Sequence, residues 1–184
     1  MKNRNFIVIL LIVIGVIGMI LVEGYVIPGI DRHDRQYAAE QKDPKTHDFK
    51  NVLKYKFKYM GNASNLANLN YNLPFKEIGK TFQLFPEKLT AEINYKTMSK
   101  AVDQEKLKEV LIYNSTANFV LIDNLMAIEF NFEDIKYTVS RNDVEKWYGV
   151  KLKELQAVDA WKRQVQSKLS DKSYVERFFK QIVH

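Results

Sequence analysis

Apolar and polar positions divide the chain into three stretches of different texture. From Phe6 to Val22 the sequence FIVILLIVIGVIGMILV carries no charged or strongly polar side chain. At about 1.5 Å per residue this run makes roughly 26 Å of helix, near the lower end of what spans hydrocarbon. Tyr25, Val26 and Ile27 extend it, with Glu23 at headgroup level, Tyr25 as an interfacial anchor, and Pro28-Gly29 expected to end the helix. The second stretch, DRHDRQYAAEQKDPKTHD from Asp31 to Asp48, is polar, charge-mixed and broken by Pro44. It reads as a stalk with a helical first half.

The third stretch alternates between two periods. In 52–59, Leu53, Tyr55, Phe57 and Tyr59 alternate with Lys54, Lys56 and Lys58, which predicts an extended segment. Gly61-Asn62 breaks it, and Ser64-Asn65 is placed to cap a short helix with Leu66, Leu69 and Leu73 on one face, stopped by Pro74. Thr81–Phe85 and Thr90–Lys96 read as a hairpin across Pro86-Glu87-Lys88. Asp103 caps a helix carrying Leu107, Val110, Leu111, Leu121 and Leu125, with Asn114, Ser115 and Asn118 as a point where it bends or breaks. Residues 126–133 and 134–140 make a second hairpin. Ser140 with Asp143 forms a capping box for a short helix that Gly149 ends. Leu152, Leu155, Val158, Val165 and Leu169 predict a longer amphipathic helix, and Ser173 with Glu176 caps the last one.

These elements predict an α+β fold: an N-terminal transmembrane helix, then an antiparallel sheet of about four strands in two hairpins, with helices on one face. The expected division is a cytoplasmic tip (1–5), an anchor (6–27), a stalk (28–48), an α+β domain (49–150) and C-terminal helices packed on it (151–184). The two hairpin-plus-helix units also have the outline of a diverged internal repeat.

Charge sets the expected orientation. Lys2 and Arg4 precede the apolar run, so the N-terminus is expected in the cytoplasm and the domain outside it. A cleaved signal peptide would have an apolar region of about 7–15 residues and a small-residue site; here the run is longer and Val22-Glu23-Gly24 is a poor site. From Glu23 onward, 26 basic residues face 22 acidic ones. That mild excess, nearly all lysine, does not point to nucleic acid as a partner. The chain has no cysteine, which excludes disulfides, thiolate metal sites, cysteine nucleophiles and lipid attachment on Cys.

Two motifs are distinctive: Leu53-Lys54-Tyr55-Lys56 … Tyr59-Met60-Gly61-Asn62-Ala63-Ser64-Asn65 … Asn68-Leu69 … Leu73-Pro74, and Ala117-Asn118-Phe119-Val120-Leu121-Ile122-Asp123-Asn124 followed by Ser140-Arg141 … Trp147-Tyr148-Gly149. Together they resemble the bacterial domain-of-unknown-function family 4825, found in membrane-anchored proteins of Gram-positive bacteria, over roughly residues 49 to 150. The resemblance implies an extracytoplasmic domain that accompanies membrane anchors, in some proteins together with regulatory segments. It transfers no activity and no catalytic residue. With five residues ahead of the apolar run, no cytoplasmic zinc-finger or effector segment is expected.

No nucleophile–base set, zinc-binding helix, P-loop or cluster of Asp and His is visible, so no enzyme, metal or cofactor is expected. His33, His47 and His184 are scattered, and Glu133-Asp134 fits a turn. The best candidate contact site is the segment from Tyr55 to Pro74. There Tyr55 and Tyr59 offer apolar faces with hydroxyl tips, and Asn62, Ser64, Asn65 and Asn68 offer donors and acceptors around Gly61. Strand, cap and short helix account for the same residues structurally. Lys54, Lys56 and Lys58 fit either an edge strand guarded against aggregation or a surface that meets anionic headgroups or wall polymers. The expected function is a membrane-anchored binding or sensory module of the envelope, with lipid as partner through residues 6–27 and an envelope protein or wall component beyond it. The alternatives are an accessory subunit of another membrane protein and an enzyme of unrecognised type.

Overall fold

The N-terminal stretch, free of proline until Pro28, is helical: α1 spans Lys2–Leu21, a π turn spans Val22–Val26, and α2 spans Ile27–Glu40. The expected stop at Pro28-Gly29 does not occur. Pro28 falls at the second position of α2, where a missing N–H costs least, directly after the π turn, in which the Ile27 N–H bonds the Val22 carbonyl. The structure is a computed structural model that describes residues 2–184, apart from the side chains of residues 2–5, 8, 9, 25 and 28–31. It comprises two units, Met1–Ala39 and Glu40–His184. In the first, every described apolar side chain from Phe6 to Val22 is exposed. Among the described residues, no helix is long and apolar enough to cross a membrane.

The second unit is α+β. After a 3-10 helix at Phe49–Tyr55 come α3 (Ala63–Tyr71), β1 (Lys80–Phe85), β2 (Thr90–Tyr95), α4 (Gln104–Leu121), β3 (Ala127–Asn131), β4 (Lys136–Ser140), α5 (Arg141–Tyr148), α6 (Val158–Gln164) and α7 (Lys172–Ile182). The sheet order is β1-β2-β3-β4. Both hairpins are antiparallel, but β2 and β3 run parallel, so the sheet is mixed and not antiparallel. The reason is α4, which connects β2 to β3 as a helical crossover and brings the chain back in the same direction. Alternation along a strand specifies its two faces; it says nothing about how one hairpin abuts the next.

One sheet face carries Phe82, Ile93, Phe130 and Tyr137 in register, flanked by Leu84, Ala91, Ile128 and Val139. It joins a single core with α4, in which Leu107 and every residue from Glu109 to Leu121 are buried. Asn114, Ser115 and Asn118 do not break this helix, because each has a partner inside the core. Asn114 donates to the Pro74 carbonyl at 2.9 Å, Ser115 to Ile112, and Asn118 exchanges amide bonds with Asn70 at 2.9 and 3.0 Å. Phe75 sits at φ 67°, a strained position for a bulky residue. Its carbonyl accepts a bond from Lys80 Nζ at 2.7 Å, next to the Pro74 carbonyl that Asn114 holds.

The C-terminal region departs from the expected long helix. Residues 152–169 form a 3-10 turn (Leu152–Gln156), α6, and a second 3-10 turn (Gln166–Ser170). Leu152, Leu155, Val165 and Leu169 are nevertheless buried, whereas Val158 is 39% exposed, so the apolar pattern reports burial at all of these positions but one while the backbone bends around α4. The cap of α7 is Asp171, accepting from the Ser173 and Tyr174 N–H groups, instead of Ser173. Asp103 and Ser140 cap α4 and α5 as expected, and Gly149 at φ 64° ends α5. Of the 28–48 segment, residues 40–48 belong to the second unit, and Gln41, Pro44 and His47 are buried there.

Candidate functional site

The segment 52–59 is not a strand. Phe49 and Val52, three residues apart, are both buried, which suits a 3-10 helix. Asp48 caps it by accepting from the Lys50 N–H, and it ends at Tyr55. The chain then makes a single parallel bridge, Phe57 with Ile122. The Phe57 N–H donates to the Leu121 carbonyl at 2.8 Å, and the Asp123 N–H donates to the Phe57 carbonyl at 3.0 Å. The Met60 N–H donates to Asn124 Oδ1 at 2.6 Å, with the Met60 side chain buried beneath. These bonds form a clasp that joins the two distinctive sequence motifs, 53–74 and 117–124.

With its backbone held, the segment turns its side chains outward. Phe57 is 39% and Tyr59 55% exposed, and Lys54, Lys56 and Lys58 are all exposed. Lys54 Nζ lies 5.1 Å from the Tyr55 ring centroid and Lys58 Nζ 5.1 Å from that of Tyr59. Lys56 Nζ donates to Gln156 Oε1 at 2.8 Å. The result is a ridge of lysines and aromatic rings on a fixed backbone.

The six candidate residues separate into two groups. Asn62 is the true cap of α3, accepting from the Asn65 N–H at 3.0 Å, a role expected of Ser64-Asn65. Asn65 donates to the Tyr55 carbonyl at 2.7 Å. Tyr55 is half-buried, and its hydroxyl accepts from Asn72 Nδ2 at 3.0 Å. The Asn68 carbonyl accepts a further bond from Asn72 Nδ2. Tyr59, Ser64 and Asn68 have exposed side chains. The amides therefore fasten the turn, and Tyr59 is the aromatic residue of the set that faces outward.

Several other polar groups in the second unit are engaged internally. His47 Nε2 donates to the Asn72 carbonyl at 2.7 Å, and Nδ1 lies 2.8 Å from the Tyr113 hydroxyl, which accepts from Trp161 Nε1 at 3.2 Å. Burial pushes the His47 pKa down. A cleft of about 400 Å³ opens between residues 45–49 and Val158, Lys162 and Gln166. Two of its wall groups are already occupied: Lys45 by Glu109 at 2.8 Å, and Gln166 by the Pro44 and His47 carbonyls. Arg141 donates to the carbonyls of Phe119, Ile122 and Leu125 at 2.6–2.7 Å, closing the C-terminal end of α4. Lys80 is buried among carbonyls and the Tyr71 and Tyr95 rings, and burial brings its pKa down to about 8.

The polar sheet face holds one arrangement absent from the sequence reading. The parallel register sets Glu92 directly beside Glu129, and Lys136 Nζ reaches Glu129 at 3.0 Å. Partial burial, with the Glu129 charge next, raises the Glu92 pKa. No periodicity could have revealed this pair, because it depends on how two separate hairpins meet. Among the described residues, no group of three or more His, Asp or Glu side chains is placed to hold a metal ion.

The clasp residues coincide with a family signature. Residues 52–143, half of the chain, match the family described as Domain of unknown function (DUF4825). The chain belongs to this family. Neither the curated proteins nor the solved structures contain a match. The DUF4825 match runs from the 3-10 helix to the first turn of α5, and so includes the whole sheet, α4, both halves of the clasp and Arg141. Outside it, Trp161 stacks on Phe49 at 3.8 Å between ring centroids. In this chain the DUF4825 core is thus completed by residues beyond the matched span.

Proposed function

We propose that this protein is a non-enzymatic, membrane-anchored binding module of the bacterial envelope, with its N-terminus in the cytoplasm and its DUF4825 domain outside. In this reading the contact face is the ridge Lys54–Tyr59. The observation that carries it is the clasp: three hydrogen bonds hold residues 57–60 to 121–124 while Phe57 and Tyr59 stay exposed. Exposed aromatic rings on a rigid backbone lose little conformational entropy on contact, which favours a binding role. The anchor is supported by the uncharged run Phe6–Val22, whose described apolar side chains have no protein cover, and by Lys2 and Arg4 ahead of it.

Because the chain lacks cysteine, one introduced thiol reports a single position. Full-length Tyr59→Cys and Gln83→Cys variants are treated with a membrane-impermeant maleimide, first on intact protoplasts and then after detergent. Gln83, on the polar sheet face, is expected to react in intact protoplasts. Tyr59→Cys is expected to be protected until detergent is added. If neither reacts from outside, the topology is wrong; if both react equally at once, the ridge is not a contact face.

A further inference from the structure

The chemistry of the ridge specifies its partner more narrowly. Between Asp48 and Glu77 the chain has no carboxylate, yet it carries Lys50, Lys54, Lys56, Lys58 and Lys76. This is the opposite of the mixed-sign surface expected of a solvated segment. The edge-strand explanation does not fit the lysines, since Lys54 lies in the 3-10 helix Phe49–Tyr55 and Lys56 and Lys58 flank a single isolated bridge at Phe57 and not a strand. Of the acidic residues nearby in space, Asp123 meets the ridge through its backbone N–H, and its charge acts on Arg141.

We propose that the ridge Lys54–Tyr59 docks on the anionic surface of a lipid bilayer, with Phe57 and Tyr59 entering the headgroup boundary and the three lysines meeting lipid phosphates. This rests on the contact-face reading above and names its partner. A polyanion of the wall offers the same phosphate charge but no apolar boundary, so it leaves the two exposed rings without a counterpart. A bilayer supplies both. Aromatic rings with a polar tip settle at the membrane interface, and lysine stems lie along apolar surface while their ammonium groups reach phosphate. Each lysine near an anionic leaflet contributes on the order of a fivefold gain in occupancy at moderate salt. The clasp matters here because Phe57 and Tyr59 flank Lys58 on a backbone fixed by bonds to Leu121, Asp123 and Asn124.

The test uses the full chain with a spin label at Tyr59→Cys, reconstituted in vesicles of phosphatidylcholine alone or of phosphatidylcholine with phosphatidylglycerol. Collision with oxygen and with a water-soluble nickel chelate reports whether the label sits in lipid or in water. In anionic vesicles the label is expected to lose nickel accessibility and gain oxygen accessibility. In neutral vesicles, and in anionic vesicles at about 1 M salt where screening acts within about 3 Å, it is expected to stay in water. A label at Gln83→Cys is expected to stay in water throughout. Lys54→Gln, Lys56→Gln and Lys58→Gln together are expected to abolish the protection, with an unchanged circular dichroism spectrum confirming the fold. The inference is overturned if the Tyr59 label is equally water-accessible in both vesicle types, or if its protection survives loss of the three lysines. Protection in protoplasts together with free access in anionic vesicles leaves the contact face standing and assigns it to a different partner.

Discussion

His47 joins residues far apart in the chain: its ring bonds Asn72, 25 positions away, and Tyr113, 66 positions away. The carbonyl of Asn72 only accepts, so Nε2 carries the proton, and Nδ1 is left to receive the Tyr113 O–H. A second proton on the ring would make Nδ1 a donor to the Tyr113 oxygen and turn the Tyr113 O–H away from its acceptor. Burial lowers the folded pKa below the usual 6.5, so the unfolded chain takes up this proton first as the pH falls. The stabilisation is fully present above about pH 6.5 and is lost progressively as the pH drops from there toward the folded pKa. The urea midpoint is expected to fall between pH 7.5 and 5.5, and His47→Gln is expected to flatten that dependence while costing about 1–3 kcal/mol at pH 7.5. A pH-independent wild-type midpoint would disprove the assignment. Nothing local distinguishes this histidine from His33, since both lie in polar surroundings and long-range partners leave no mark on neighbouring residues. Asn62, by contrast, was visible as part of a break, because a capping bond spans only three residues.

Elements whose pattern depends on their own period were legible, namely both hairpins, α3, α4 and α5. Segments whose backbone answers to distant packing were not. In 152–169 the apolar spacing survived while the helix broke into three pieces around α4, and in 52–59 alternating lysines imitated a strand. The pairing of β2 with β3 belongs to this second kind, and so does its consequence at Glu92. The raised Glu92 pKa means that the folded state holds this proton more tightly than the unfolded chain. Its contribution is most favourable at low pH and is lost as the pH rises through the folded pKa, leaving two carboxylates opposed at neutral pH. Glu92→Gln is therefore expected to raise the urea midpoint at pH 7, by about 1 kcal/mol or less for a half-buried cross-strand pair whose Glu129 is partnered by Lys136, with the gain shrinking near pH 4. A loss of stability at pH 7 would show that the two carboxylates are not in opposition.

For the molecule as a whole, the family span and the folding unit differ. The second unit begins at Glu40, and residues 41–48 supply Pro44, His47 and the Lys45 partner of the buried Glu109. A fragment of residues 40–184 is expected to unfold cooperatively in urea. A fragment of residues 49–184 is expected to be weaker by at least about 3 kcal/mol, because Glu109 loses its counter-charge and Tyr113 its acceptor. Equal midpoints would mean that residues 41–48 merely rest on the surface. The α+β class and the family were readable from sequence, since patterning and the two motifs are local. Which side chains of the candidate segment stand exposed was not legible: Tyr59 could not be told from Tyr55 without the clasp. The parallel centre of the sheet also has a temporal side. Each hairpin closes over a turn of a few residues, but the two cannot join until the intervening loop, α4 included, has been closed, and loop closure of that length slows folding. Phe57 must likewise wait for Ile122, 65 residues later in the chain. The ridge is therefore among the later features to take shape, because the loop it closes is longer than the 37 residues that separate Thr90 from Ala127 at the centre of the sheet.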